Sequence, residues 1–348
     1  MSAHDTPGSP PRSRAAAARR ALVGAAWAAA WTLVWGCALF MFANRAQATP
    51  LTLAVSSGPV SLPIYVAESR GYFRDEGLQL RVRECASGLE CYQWLADRDS
   101  DVDVATAADL LVATGSGVHR DLAIIATIST SSQQIKLVAR RSAKIAEVPQ
   151  VRGKRIGTVL GSSAQYFLDN WLVFNDIDPD AVTVVGLAPG KLVGALESRA
   201  VDAIAIWEPL ASTAALELGG DAVVFESPRV YTQHFNLVAA RPTLERRDAD
   251  IARLLRALVR AQQAIQDDPD AARALLAQRL HLAPTVAAMM MAHQDYRVRL
   301  DQSLVTTMQS EARWAARAGG ARGNIDVLRA IAPAPLRHLD PTAVGLVQ

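Results

Sequence analysis

The chain has 348 residues, of which half are hydrophobic and a fifth are charged. This composition excludes a disordered protein, and the length suffices for about two domains. The first 48 residues hold five of the 36 Lys and Arg and one of the 34 Asp and Glu, which leaves 31 basic and 33 acidic residues for the remainder. A body without a basic excess does not have the electrostatic footprint of a nucleic-acid-binding protein.

Residues 1–48 have the features of an export signal. Four Arg lie between positions 12 and 20, residues 21–43 form an uncharged apolar run, and Ala46 and Ala48 supply the small side chains of a cleavage site. The run is also long enough to span a bilayer, so two outcomes stay open: cleavage after Ala48, which we favour, or a retained signal anchor. In both cases we expect a periplasmic body, because the basic residues before the run stay in the cytoplasm.

From residue 51 onward, segments typical of strands alternate with segments typical of helices. The alternation of apolar residues and the turn residues between them predict strands at 51–55, 78–83, 102–105 and 122–128, and helices at 62–70, 90–96 and 107–114. A second set has strands at 134–139, 155–159, 182–185, 201–207 and 237–240, and helices at 163–174 and 192–198. The pattern predicts an α/β fold with largely parallel sheets. After residue 250 the sequence is mainly helical, which suggests a cover over one lobe.

The sequence lacks the usual signatures of a catalytic site. It has no Gly-x-Ser-x-Gly or His-Glu-x-x-His motif, and its six His are scattered without metal-ligand spacing. We therefore expect no catalytic residue, no metal and no cofactor, and we interpret the chain as a binding protein rather than an enzyme.

Small polar residues follow several of the predicted strands, where ligands of open α/β sheets bind. Gly161, Ser162 and Ser163 place N–H groups and hydroxyls at a helix N-terminus, which suits a carboxylate, sulfonate, phosphonate or nitrate, although an ordinary serine N-cap gives the same pattern. Trp207 could stack on a ligand or fill the hinge. The candidate ligand-binding residues are Ser57, Gly58, Ser87, Gly88, Thr106, Ala107, Ser129, Thr130, Gly161, Ser162, Ser163, Trp207 and Glu208. These loops contain no Lys or Arg, so an anion would be held by N–H groups and hydroxyls, or the ligand is neutral.

Two cysteines flank one of these candidate loops. Cys85 and Cys91 have five residues between them and no second pair of Cys or His at zinc spacing. In an oxidising compartment they could form a small-loop disulfide, and two buried thiols are an equal alternative.

Several short segments carry a family resemblance through their order along the chain. Residues 62–78 end in Gly-Tyr-Phe-Arg-Asp-Glu-Gly-Leu, and the further matching segments are 102–105, 151–157, 161–163, 195–203 and 207–209. In these motifs, residues 51 to about 240 resemble the periplasmic substrate-binding proteins of aliphatic sulfonate, taurine and nitrate importers of the ABC type. That group shares its fold with thiamine-pyrimidine precursor binders.

The resemblance implies a two-lobed, type II binding-protein fold, in which each lobe is a mainly parallel sheet flanked by helices. Lobe one would comprise 51–137 and 237–348, and lobe two 138–236, with hinge segments at 134–139 and 235–240. A small, anionic ligand would bind between the lobes, and the closed protein would dock on a permease with a cytoplasmic ATPase. No nucleic acid is implied, and membrane contact would come only through residues 21–43.

Two other functions remain open at this point. An uncleaved leader would make the protein a tethered ligand sensor. An enzyme of the thiamine-pyrimidine synthase type is the second alternative, but such relatives work in the cytosol and carry a Cys-rich motif that this sequence lacks.

Overall fold

The structure is a computed structural model that describes Met1 and residues 49–115, 121–226, 229–317 and 326–347. The predicted leader, with its apolar run at 21–43 and its cleavage site, lies outside these residues. Within the described ranges, no helix has both the length and the apolar character needed to cross a bilayer. Whether the leader is cleaved or retained therefore stays a prediction.

Strands and helices alternate up to residue 240, after which helices dominate. The strands are β1 (Leu51–Ser56), β2 (Leu80–Cys85), β3 (Val104–Ala108), β4 (Leu122–Ser131), β5 (Ile135–Arg140), β6 (Arg155–Thr158), β7 (Thr183–Gly186), β8 (Ala203–Trp207), β9 (Ala222–Phe225), β10 (Gln233–Ala240), β11 (Leu300–Asp301) and β12 (Val344–Gly345). The helices are α1 (Leu62–Ser69), α2 (Tyr72–Asp75), α3 (Gly88–Ala96), α4 (Asp109–Gly115), α5 (Ser163–Phe174), α6 (Pro189–Glu197), α7 (Leu210–Leu218), α8 (Arg241–Arg246), α9 (Asp248–Asp267), α10 (Pro269–Arg279), α11 (Pro284–Ala292), α12 (Gln302–Arg317) and α13 (Ala334–Leu339).

The strands form two five-stranded sheets of the same design. The first sheet has the order β2-β1-β3-β10-β4, and the second has the order β7-β6-β8-β5-β9. In each sheet one strand, β10 or β5, runs antiparallel to both of its neighbours, while the other four run in one direction. The predicted α/β class with mainly parallel sheets is confirmed. The antiparallel strand in each case is the one by which the chain enters from the other sheet.

The chain leaves the first sheet at Ser131 and enters the second at Ile135, and it returns from Phe225 of the second sheet to Gln233 of the first. These two connections are the crossings. Ile135 already pairs with Trp207 of the second sheet, and Gln233 already pairs with Ser131 of the first. The expected boundaries at 137/138 and 236/237 therefore fall inside β5 and β10, as do most residues of the expected hinge segments 134–139 and 235–240. We place the proposed division into two lobes at the two crossings instead, because paired strand residues move with their own sheet.

The long helix α9 shows how the C-terminal region attaches to the first sheet. Its apolar residues recur at helical spacing and are buried, and they are Ile251, Leu254, Leu255, Leu258, Ala261 and Ile265. Burying each of the larger side chains contributes about 1.5–3 kcal/mol. This stripe packs into the core that also contains β1 and β3, so the predicted helical cover is present.

Helix α12 extends this cover to the second sheet. Trp314 and Ala315 of α12 belong to the core of the second sheet. The Trp314 indole N–H donates to Asp169 of α5 at 2.8 Å, and the Tyr166 hydroxyl donates to Ser310 at 3.0 Å. The expectation that the C-terminal helices cover one lobe alone is thus corrected, since an aromatic side chain near the end of α12 finds its apolar surroundings on the other sheet.

Candidate functional site

The carboxyl ends of strands from both sheets line one cavity. Its empty volume is about 480 Å³, part of which is open to solvent. The lining residues are Ser56, Ser57, Val60, Ser87, Gly88, Leu89, Ala108, Leu111, Gln134, Ser162, Ser163, Trp207, Glu208, Gln233 and Phe235. The first sheet supplies one wall and the second sheet the other. Gln134 comes from the first crossing, and Gln233 is the first residue of β10 after the second crossing.

The structure brings about half of the sequence-predicted site residues together in this cavity. Those that line it are Ser57, Ser87, Gly88, Ser162, Ser163, Trp207 and Glu208. Those that do not line it are Gly58, Thr106, Ala107, Ser129, Thr130 and Gly161. The rule that ligands bind beyond strand ends therefore found both walls, but it did not separate residues that face the cavity from residues that build the turns.

The predicted residues outside the cavity have structural partners. The Thr106 hydroxyl accepts from the Ser56 N–H at 2.9 Å, and Ala107 is fully buried in β3. The N–H of Gly58 donates to the Tyr65 hydroxyl at 3.1 Å. Gly161 has a φ of +71° and donates its N–H to Gln165 at 2.7 Å, so it forms the turn before α5 rather than the ligand surface.

The predicted loop at 129–132 is mostly strand, because β4 continues to Ser131. The Ser129 hydroxyl bonds to the side-chain oxygen of Gln294 at 2.6 Å. Thr130 exchanges backbone hydrogen bonds with Asp295 at 2.9 and 3.0 Å. Both residues are buried and bonded to protein partners, so a role in ligand binding stays a prediction for them.

On the second-sheet wall, the serines at the start of α5 use their hydroxyls within the protein. The Ser162 hydroxyl donates to the Val159 carbonyl at 2.7 Å and accepts from the Ala164 N–H at 3.1 Å, which is an N-cap. The Ser163 hydroxyl accepts from the Gln233 amide at 2.8 Å. The backbone N–H groups of Ser162 and Ser163 have no hydrogen-bond partner among the residues that the structure describes. These N–H groups, rather than the hydroxyls, are available to a ligand.

The first-sheet wall has the equivalent arrangement at the start of α3. The Ser87 hydroxyl accepts from the Glu90 N–H at 3.3 Å, while the N–H groups of Gly88 and Leu89 have no partner within the described ranges. A Cβ atom on Gly88 would lie 3.3 Å from the Phe235 ring and 3.5 Å from the Ala107 Cα. The backbone of α3 therefore approaches the sheet so closely that a side chain at this position would crowd it.

The two helix N-termini give the cavity a positive electrostatic character without a cation. Each N-terminus carries a partial positive charge of roughly half a unit from the aligned peptide dipoles. The lining contains no Lys, Arg or His, and its one charged residue is Glu208. As the sequence predicted, an anion bound here would be held by neutral donors.

The carboxylate of Glu208 is bonded to partners within the protein. Its Oε1 lies 3.1 Å from the Lys136 ammonium, and it also accepts from the Ser212 hydroxyl and N–H at 2.9 and 3.0 Å. These contacts satisfy both oxygens and cap the first turn of α7. The Glu208 carbonyl accepts from the Gln134 amide at 3.3 Å, so this residue shapes the cavity through its backbone.

Sequence reasoning missed Gln134 and Gln233, which are both buried and both line the cavity. Gln134 lies in the first crossing and donates its amide to the Glu208 carbonyl. Gln233 directly follows the second crossing and donates its amide to the Ser163 hydroxyl. Both partners belong to the second-sheet wall. The side-chain oxygen of Gln134 in turn accepts from Gln294 at 2.6 Å. Their signal in the sequence was weak, because Gln134 directly precedes β5, Gln233 begins β10, and other polar residues such as Lys136 and His234 occur in the same two strands.

The structure pairs Cys85 with Cys91 beneath the Ser87 loop. Their sulfur atoms are in bonding contact, and their Cα atoms lie 5.6 Å apart, which is within the range that a disulfide spans. Both side chains are buried, with exposed fractions of 4% and 0%. Of the two sequence alternatives, this arrangement favours the bridge.

Outside the cavity, one chain of contacts has the order of a serine catalytic triad. The His234 ring lies 2.9 Å from the Ser303 hydroxyl and 3.1 Å from Asp109. However, Asp301 accepts hydrogen bonds from the Ser303 hydroxyl and from the N–H groups of Ser303 and Leu304. These donors are thus unavailable to an oxyanion, and none of these residues lines the cavity, so we interpret the cluster as structural. Among the described residues, no group of His, Cys, Asp or Glu is placed to hold a metal ion.

The same cluster contains two buried carboxyl groups. The Tyr231 hydroxyl lies 2.6 Å from Asp109 and 3.0 Å from Glu311. Burial, together with the neighbouring charge of Asp109, raises the pKa of Glu311 well above its ordinary value, and burial with both carboxyls raises the pKa of Tyr231. The Tyr231 hydroxyl thus links Glu311 of α12 to Asp109 of α4.

Comparisons with known proteins agree with this architecture. A family model described as "NMT1/THI5 like" matches residues 58–272. A "Putative aliphatic sulfonates-binding protein" of Bacillus subtilis (strain 168) is 25% identical over 204 residues, which are 57% of this chain and 60% of the relative. One of the same description from Escherichia coli (strain K12) is 24% identical over 255 residues, 71% of this chain and 77% of the relative. The match thus spans less than two thirds of the Bacillus relative.

Solved structures show the same fold at low identity. The periplasmic aliphatic sulphonate binding protein SsuA from Escherichia coli has a TM-score of 0.69 at 20% identity, covering 81% of this chain and 98% of that one. The periplasmic nitrate-binding protein NrtA from Synechocystis PCC 6803 has a TM-score of 0.69 at 14% identity, with coverages of 85% and 89%. The desulfurization enzyme DSZB has a TM-score of 0.61 at 15% identity, with coverages of 84% and 99%. The periplasmic binding-protein fold is thus shown, and the same fold also occurs in an enzyme.

Proposed function

Since the chain belongs to the NMT1/THI5-like family, we propose that it is the extracytoplasmic solute-binding component of an ABC importer. It works in the periplasm and passes its solute to a permease whose ATPase is cytoplasmic. The likeness to sulfonate- and nitrate-binding proteins supports this role, and the export features of residues 1–48 support the compartment.

The solute that fits the cavity best is a small anion of the sulfonate, nitrate or carboxylate class. The observation that carries this proposal is the pair of helix N-termini, α3 and α5, that meet the cavity from opposite walls with unbonded N–H groups. Val60, Leu89, Leu111, Trp207 and Phe235 add apolar surface to the same cavity. An organic sulfonate or carboxylate with a short apolar part would use both kinds of surface.

Binding would draw the two walls together. The sheets are joined by two crossings, which is the arrangement of a hinge-bending protein. An anion that bonds to α3 and α5 at once has more partners in the closed form than in the open form, so it would shift the population toward closure. The permease would then recognise the closed protein.

A thermal-shift panel tests the proposal. It contains alkanesulfonates of increasing chain length, taurine, nitrate, small carboxylates, phosphonates and pyrimidines. A compound at 100 times its dissociation constant should stabilise the protein by about 2.7 kcal/mol. The variant Gly88→Val should lose the shift because its side chain would crowd Phe235 at the cavity, whereas Gly194→Val has open space around its Cβ and serves as the control. No shift with any anion would contradict the proposed ligand class.

An enzyme is the second candidate, because a desulfurization enzyme shares the fold. The described lining of the cavity offers serine hydroxyls, two glutamine amides and one paired carboxylate, but no Cys or His that could act as nucleophile or base. Binding is therefore the better-supported function. Release of sulfite or another product from a panel compound by the purified protein would reverse this order.

A further inference from the structure

We propose that the Cys85–Cys91 bridge is the positioning element of the first-sheet wall. It would fix the α3 N-terminus in the geometry that binds an anion, although neither cysteine lines the cavity itself. This inference rests on the proposed function, since it concerns the same site. It predicts that ligand affinity depends on a covalent bond that never touches the ligand.

The first argument is the position of the two cysteines in the chain. Cys85 is the last residue of β2, and Cys91 lies in the first turn of α3. Between them lie Ser87, Gly88 and Leu89, which all line the cavity. The bridge therefore closes a short ring around the residues whose N–H groups are available to an anion, and a short ring leaves them few other conformations.

The second argument is the contact of the bridge with the neighbouring strands. The Cys85 carbonyl accepts from the Ser57 N–H at 3.3 Å. The Thr106 hydroxyl lies 3.7 Å from the Cys91 sulfur and also accepts from the Ser56 N–H at 2.9 Å. The two bridged cysteines thus contact Ser57, which directly follows β1, and Thr106 in the middle of β3. Ser56 and Ser57 line the cavity as well.

The third argument is the weakness of the other bonds that hold this loop. The Ser87 cap is long, at 3.3 Å, and the bond from the Ala86 N–H to Glu90 is exposed to water. On the opposite wall, Ser162 and Ser163 are held by buried hydrogen bonds of 2.7–3.1 Å. Without the bridge, we expect the α3 N-terminus to be the less ordered of the two.

Formation of the disulfide agrees with the export of the protein to an oxidising compartment. The two thiols lose two electrons and two protons by thiol–disulfide exchange, and an oxidised dithiol carrier of the compartment accepts them as its own disulfide is reduced. Because both sulfurs are buried, a reductant cannot reach the finished bridge in the folded protein. The bridge is therefore a permanent support and not a reversible switch.

The test compares the oxidised protein with the double variant Cys85→Ala/Cys91→Ala. A matched control, Leu258→Ala, removes a fully buried side chain of α9 from the same core and so lowers stability without touching the loop. Calorimetric titration with 1-butanesulfonate, well below each melting temperature, should give at least tenfold weaker binding for the double variant. The control should bind within twofold of the wild type. Hydrogen exchange at residues 86–91 should accelerate in the double variant only.

Wild-type affinity and unchanged exchange in the double variant would overturn the inference, as would two free thiols in protein purified under oxidising conditions. If the wild type does not bind 1-butanesulfonate, the anion of the panel with the largest thermal shift replaces it in the titration. If no anion of the panel binds, the proposed ligand class fails, while the exchange comparison still decides whether the bridge orders the loop. If the alanine pair does not fold, Cys85→Val/Cys91→Ala, which restores part of the lost volume, takes its place in the same measurements.

Discussion

On one side of the cavity, the loop before α3 is tied to β2 through Cys85 and Cys91; on the other, the turn before α5 is held by the hydroxyls of Ser162 and Ser163. Both walls present the same groups to a ligand, namely the unbonded N–H groups of a helix N-terminus. The comparison teaches that one local geometry can rest on a covalent link in one sheet and on buried hydrogen bonds in the other.

The buried ionisable groups near the two walls also differ. Behind the second wall, the Lys136 ammonium and the Glu208 carboxylate are buried as an ion pair. In the other cluster, the buried acids Asp109 and Glu311 share the Tyr231 hydroxyl, and burial together with the charge of Asp109 raises the pKa of Glu311. A buried acid thus faces an opposite charge in the pair Lys136–Glu208 and a second acid in the cluster of Glu311.

The largest expected effect comes from breaking the ion pair behind the second wall. Lys136→Met leaves Glu208 buried without its partner, which should lower the free energy of unfolding by about 3–5 kcal/mol in chemical denaturation. Lys191→Met, at an exposed position, is the control and should change little. Adding Glu208→Gln to Lys136→Met should recover part of the loss. Equal stability of the two lysine variants would show that the pair does not support this wall.

The pH dependence of Glu311→Gln tests whether the pKa of Glu311 is raised in its cluster with Asp109 and Tyr231. Because the pKa of Glu311 is raised in the folded protein, ionisation favours the unfolded state as the pH rises above the ordinary glutamate pKa. Each further pH unit should cost the wild type about 1.4 kcal/mol until the folded-state pKa is reached. The variant does not carry this cost, so its melting temperature relative to wild type should rise from pH 4 to pH 8.

The control for that experiment is Glu245→Gln, which removes an exposed carboxylate. Its difference from wild type should stay nearly constant over the same pH range. A melting-temperature difference for Glu311→Gln that is equally flat would mean that Glu311 ionises normally in the folded protein, and the contrast between the two walls would then be lost.

Substitutions of the two glycines near the helix N-termini should have different effects, one on stability and the other on ligand affinity. Gly161 has a φ of +71° and open space around it, so Gly161→Ala should cost about 1–2 kcal/mol of stability through backbone strain. Gly161→Asn should cost less, because asparagine tolerates this conformation. Gly88→Ala has no such strain, and its methyl group instead meets Phe235 and Ala107. We expect it to reduce ligand affinity more than stability, as calorimetry on both variants would show.

The smallest expected effects are those of the two capping serines. Ser162→Ala removes a buried cap and should cost about 1 kcal/mol of stability. Ser87→Ala removes the longer 3.3 Å bond and should cost less, because the bridge still holds the helix start. Removing Ser87 together with the bridge should then cost more than the sum of the separate changes. Simple additivity in denaturant titrations would argue that cap and bridge act independently.

Most regular elements up to residue 207 follow closely from the sequence, since their apolar residues recur with a clear period, although the short helix α2 was not predicted. The segment between 208 and 236 was not predicted, although it contains α7, β9 and the start of β10. There, Gln233, His234 and Asn236 interrupt the apolar pattern of β10. They are nevertheless buried, because distant residues such as Asp109 and Thr127 satisfy their polar atoms.

The candidate site was predictable in position but not in detail. Strand ends identified both walls, because the direction of a parallel strand determines which edge its loops occupy. Whether a serine faces the cavity depends on partners far away in the chain, as Ser129 shows by bonding to Gln294. Gln134 and Gln233 gave only a weak local signal, since the meeting of the two sheets is what brings them to the cavity.

The absence of Lys, Arg and His from the described lining of the cavity has a consequence for how ions would be sorted. An anion that enters must lose its hydration shell, which costs free energy. Interactions with peptide dipoles offset less of this cost than an interaction with a full opposite charge would. A strongly hydrated dianion would therefore lose more on entering than a monoanion with diffuse charge and an apolar tail, which we expect to bind more tightly. The cavity would thus select first by the cost of dehydration and only then by shape.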